Sequence, residues 1–113
     1  MKLPRLFDFA SEADLSAFLV KGLVKQINPE IMAQRRQVLS AARITRVLEQ
    51  TFRTARESQK QHQRNWIQRA VLLNKFRWGL NDAGYPKEFV EIATEGLMVE
   101  ISNLGTPSKP SGT

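Results

Sequence analysis

From Glu30 to Trp78 the chain contains neither glycine nor proline, and good helix formers (Ala, Arg, Gln, Leu, Glu, Met) dominate the stretch. A run of that kind rules out a sheet of short strands and turns, and it predicts a helical core region. The flanks agree. Leu15, Phe18, Leu19, Leu23 and Ile27 recur at three- and four-residue spacing, with Lys21, Lys25 and Gln26 off that row. This predicts an amphipathic helix over 11–27, opened by a capping box of Ser11 and Asp14. Phe7, Phe9, Phe18, Val20 and Val24 add apolar surface beyond the main row, enough to dock a partner helix. Asn28-Pro29-Glu30 supplies the cap, first-turn proline and acidic residue of a new helix.

Inside the long run, Val38, Ala41, Ala42, Thr45, Leu48, Phe52 and Ala55 make one apolar stripe. Trp66, Ile67, Ala70, Val71, Leu73 and Phe76 make a second, which places Trp66 and Phe76 in the core. Between them, residues 56–65 carry no apolar side chain. Two architectures fit. In one, the gap is the turn of a helical hairpin, with helices over 30–57 and 63–79. In the other, one helix of about 50 residues runs some 75 Å. Long helices are rare in small proteins, which favours the hairpin. Gln, Lys and Arg are poor turn residues, and Trp66, Ala70 and Leu73 keep the bearing of Leu48, Phe52 and Ala55, which favours the long helix.

Gly79 to Gly84 reads as a break, and Tyr85-Pro86 starts a last helix over 86–102. Its buried row is Phe89, Ile92, Ala93, Gly96 and Leu97. A glycine at 96 costs about 1 kcal/mol relative to alanine, so a neighbouring helix is expected to approach closely there. The Pro/Gly/Ser/Thr-rich end from Asn103 reads as a disordered tail. The expected fold is therefore all-α: a small bundle of three to four helices forming one domain over 1–102, with a tail over 103–113.

Charge is distributed unevenly. Residues 1–30 balance, residues 31–81 hold eleven basic side chains against Glu49 and Glu57, and residues 82–108 hold Lys87 against five carboxylates. Arg36, Arg43, Arg46, Arg53, Lys60 and Arg64 are spaced by three, four or seven, so one helix places them within an arc of about 120°. Arg35 joins that arc and Arg56 lies at its edge. Guanidinium forks bind phosphate oxygens in a bidentate way, and a face built only for solubility would mix Lys with Glu. The stripe predicts a non-enzymatic subunit of a larger assembly that grips a nucleic-acid backbone, DNA or RNA. About six phosphates neutralised would give a log–log salt slope near −5 on duplex DNA. The alternative is an adaptor or structural subunit, with the stripe set against acidic side chains of its own last helix or of a protein partner, or a homo-oligomer. Trp78, beside the glycine break, is the aromatic expected to be exposed and able to stack on a base.

Other chemistry has little support in the sequence. There is no cysteine, no glycine-rich phosphate loop and no nucleophile with a base beside it. His62 is the one histidine. Its spacing from Arg56 resembles the Arg-x(4–6)-His of HEPN-type ribonucleases, but Glu57 stands where that pattern carries a polar neighbour. No cofactor, no metal and no catalytic residue is expected. Asp8, Glu12 and Asp14 interrupt any signal-like apolar run, and no stretch reaches the roughly 20 apolar residues of a membrane span. The expected location is cytoplasmic or inside a virion, with no membrane partner.

Overall fold

A computed structural model describes residues 9–34 and 41–105 of the chain. It is all-α, with α1 over Ala10–Gln26, α2 over Pro29–Gln34, α3 over Ala41–His62, α4 over Trp66–Ala83 and α5 over Lys87–Gly105. The part of the expected 30–57 helix between α2 and α3, with Val38, lies outside the described residues.

The hairpin is present and the long helix is not. Gln63 adopts a positive φ of 49°, which ends the α-helical path. Asn65 then caps α4: its side chain accepts from the Gln68 amide, and the Gln68 side chain accepts from the Asn65 amide. This reciprocal capping box does the work that glycine or proline does in most turns. The Ser11–Asp14 box is not formed. α1 begins one residue earlier, behind Phe9, with no side-chain cap. Asn28 does cap α2, its Oδ1 accepting from the Glu30 and Ile31 amides.

α4 does not stop at Gly79. It continues to Ala83 and ends at Gly84, where φ is 99° and the Gly84 and Tyr85 amides bond back to Asn81 and Leu80. Gly79 has another purpose: a Cβ there would lie 2.9 Å from Val20 Cγ2, so its absence lets α4 approach α1. Gly96 meets its expectation in the same way, since a Cβ would lie 2.5 Å from Cζ of Phe52 on α3.

α1 packs on α4 and α3, and α5 packs on the same two, so α3 and α4 occupy diagonal corners of a four-helix bundle. Cross-links set the directions. Arg64, in the α3–α4 turn, reaches Ser11 and Glu12 at the start of α1, while Tyr85 reaches Ile27 beyond its end, so α1 and α4 run parallel. Phe52 meets Gly96 and Arg56 meets Glu100, so α3 and α5 also run parallel, antiparallel to the first pair. Leu19, Leu23, Ile27, Val47, Leu48, Ala55, Leu72, Phe76, Leu80, Val90, Ala93, Leu97 and Ile101 fill the centre.

Four large apolar side chains of the expected apolar rows are outside. Trp66 is 71% exposed, Phe18 63%, Ile92 62%, and Ile67 is also exposed. On α3 the buried row is Val47, Leu48, Thr51, Ala55 and Gln59, leaving Ala41, Ala42 and Thr45 on the surface. The last helix runs on to Gly105 rather than ending at 102, and the rest of the expected tail lies outside the described residues.

Candidate nucleic-acid interface

α3 is strongly one-sided. Its buried residues fall within about 120° of the helical wheel, and at 100° per residue Arg46, Arg53 and Lys60 fall within about 40° of one another on the opposite side. These three form the outermost line of the helix, and all three are exposed. Arg46 and Arg53, seven residues apart, stand about 10.5 Å from each other along the axis. Among the described residues neither comes within ion-pair distance of a carboxylate. Glu49 and Glu57 are exposed to either side of the line; Glu57 approaches Lys60 at 3.9 Å, a surface pair worth little.

The other members of the expected stripe have different fates. Arg35 and Arg36 lie outside the described residues. Arg43 is exposed and donates through Nη2 to the Gln26 carbonyl at 3.2 Å, satisfying a carbonyl at the negative end of α1. Arg56 donates to Glu100 at 2.9 Å, so its charge is largely met within the chain. Glu100 reaches the stripe from the last helix through this pair.

Arg64 is a correction. It is 3% exposed and points into the bundle. Nε donates to Glu12 Oε2 at 2.7 Å, Nη2 to Ser11 Oγ at 2.9 Å and Nη1 to Ser58 Oγ at 3.2 Å. Its carbonyl accepts from Arg69 at 2.9 Å and from the Gln59 side chain at 3.2 Å. A continuous helix would have put Arg64 on the bearing of Arg46. The break at Gln63 resets the register and turns the side chain inward.

Beside the outer line, α1 and α3 leave a groove of about 370 Å³ lined by Phe18, Leu19, Gly22 and Gln26 on one side and by Gln50, Thr51, Arg53 and Thr54 on the other. An exposed aromatic thus lies across the groove from a guanidinium. The spacing of Phe18 fits the apolar row, but the side chain belongs to the extra apolar surface of α1. The signal that it faces out was its neighbour Gly22, one turn on, which leaves the groove open. Trp78 is 58% exposed, as its position beside Gly79 suggested. It stands on α4, diagonal to α3, so it does not share this surface.

Tyr85 packs on Phe89 and donates its hydroxyl to the Ile27 carbonyl at 2.6 Å, and burial pushes its phenol above the ordinary value. It ties the α4–α5 turn to the end of α1 and has no part in the surface described above. His62 is exposed at the end of α3. Among the described residues no group of three or more His, Asp or Glu side chains is arranged to hold a metal, and no helix is long and apolar enough to cross a membrane.

The fold and this surface define a small four-helix bundle with a one-sided basic ridge on α3. Comparison with protein-family models, with curated proteins and with solved structures found no match.

Proposed function

We propose that the chain is a non-enzymatic subunit that holds a nucleic-acid backbone on the outer line of α3. The observation that carries the reading is the pair Arg46 and Arg53, aligned on the face away from the core and, among the described residues, not in an ion pair with any carboxylate. Fixed cations on a rigid helix, with side chains free to adjust, suit phosphate oxygens. Lys60 extends the line by one more turn pair, and the groove places Phe18 across from Arg53 for an unpaired base or a sugar face. Such contacts position a polymer and read no sequence. Arg64 and Arg56 do not contribute, because each is already held by a carboxylate of the same chain.

The test is a filter-binding titration across salt with duplex and single-stranded oligonucleotides. Three phosphates, met by Arg46, Arg53 and Lys60, give a log–log slope near −2.7 on duplex DNA. Affinity that does not change with salt overturns the proposal.

A further inference from the structure

α4 is apolar on two opposite sides. Leu72, Phe76 and Leu80 face the core. On the far side Ile67, Val71, Asn74 and Trp78 follow one another at spacings of four, three and four, which draws a line about 60° wide along the helix. Ile67 and Trp78 on that line are exposed and Val71 is half-buried. α5 carries a mixed line, half apolar and half acidic. Opposite its buried Ala93, Leu97 and Ile101 run Glu88, Ile92, Glu95 and Val99, again at four, three and four, and Ile92 and Val99 are exposed.

The two lines differ in charge. Among the exposed side chains, α4 carries Lys75 and Arg77 against Asp82, and α5 carries Lys87 against Glu88, Glu91 and Glu95. Pairing α4 with a second α4 sets Lys75 and Arg77 against themselves, and pairing α5 with a second α5 does the same to Glu91 and Glu95. Pairing α4 with α5 brings the basic residues of one beside the acidic residues of the other and covers Ile67, Trp78, Ile92 and Val99.

We propose that the outer line of α4 in one copy of this chain docks along the outer line of α5 in a second copy. The two surfaces are different, so the contact is heterologous: each dimer keeps one free surface of each kind and adds further copies into a ring or an open row. Two helical lines offer less than the roughly 800 Å² per partner of a standard interface, so association is weak and sits in the micromolar-to-millimolar range. α3 stands diagonal to α4, and its outer line stays clear of the α4 contact. The inference does not rest on nucleic-acid binding.

Sedimentation of the nuclease-treated full chain, from about 10 μM to about 1 mM, tests it across that affinity range. The weight-average mass is expected to rise with concentration. Trp78→Glu and Ile92→Glu each remove one surface at an exposed position, and each alone is expected to weaken association at least tenfold. Their equimolar mixture is expected to form a one-to-one dimer, since the first retains α5 and the second retains α4. A wild-type chain that stays monomeric to the highest concentration overturns the proposal. So does an Ile92→Glu chain that associates as well as wild type, which would mean α4 pairing with itself, and so does a mixture that remains monomeric.

Discussion

Arg53 and Arg64 look alike in the sequence and do opposite things in the fold. Both belong to a row of cations at helical spacing, in a segment where basic side chains far outnumber Glu49 and Glu57. Arg53 stands on the outer line of α3 in solvent and, among the described residues, forms no ion pair. Arg64, eleven residues later, is sealed inside the α3–α4 turn and holds Glu12 at 2.7 Å across fifty-two positions of sequence. Helical spacing assigns a side chain to a face only as long as the helix lasts. One residue at positive φ converts a surface cation into a structural one.

The contrast is open to direct attack, and the largest effect belongs to the buried member. Arg64→Met leaves the Glu12 carboxylate sealed without its partner, which costs about 3–5 kcal/mol. For a domain of this size that lowers Tm by at least about 12 °C. Arg53→Met is expected to change stability by less than about 0.5 kcal/mol. Urea unfolding of the two variants side by side reads the difference, and equal losses would place both residues in one environment. The double variant Glu12→Leu with Arg64→Met is expected to regain most of the stability, because a buried pair replaced by apolar side chains of similar volume is often neutral. A double variant as unstable as Arg64→Met would mean that the serine contacts, not the ion pair, fix the turn.

Gly96→Ala comes next. The new methyl would sit 2.5 Å from Phe52 Cζ, and forced repacking of this kind costs about 1–3 kcal/mol. Phe52→Leu on the same background is expected to recover part of it. On α3 this separates the packed side, where one methyl matters, from the outer line, where a whole guanidinium does not.

Tyr85→Phe removes a hydroxyl that satisfies the Ile27 carbonyl at 2.6 Å, and the expected loss is about 1–2 kcal/mol. Its pH dependence has a definite sign. Burial raises the phenol in the fold, so the folded chain holds a proton that the unfolded chain gives up above its ordinary value near 10. The stabilisation is complete below that value and falls as pH rises beyond it. The Phe variant is expected to lose less stability than wild type between pH 9 and 11 in chemical-denaturation titrations. Smaller again is Asn65→Ala, which opens the capping box of α4 for about 1 kcal/mol. A cost near zero would move the cause of the turn back to Gln63.

Much of the fold was legible, and the reasons are local. The Asn28-Pro29 helix start, the apolar row Leu19-Leu23-Ile27 and the close approach at Gly96 are encoded within one or two turns of chain. The hairpin was half legible. Its polar gap was plain, but Asn65-x-x-Gln68 is a capping box without the hydroxyl residue that usually announces one. Exposure was the least legible property. Trp66 and Ile92 have the spacing of core residues, and what leaves them outside is that α4 and α5 carry apolar residues on more than one face. Periodicity finds the rows and does not say which row the bundle uses. The candidate site suffered in the same way: Arg46 and Arg53 stand on the exposed face that their spacing indicates, Arg56 is claimed by Glu100 from a helix forty-four residues away, and Arg64 by Glu12. Those pairings are tertiary, and no spacing rule within one segment contains them.

The most direct measurement compares salt slopes for wild type and the double variant Arg46→Gln, Arg53→Gln on one duplex, with urea unfolding of both as the control. Two lost phosphate contacts are expected to flatten the log–log slope by about 1.8 while the unfolding midpoint stays where it was. Equal slopes for the two proteins would contradict the assignment of the α3 outer line as the surface that holds the polymer.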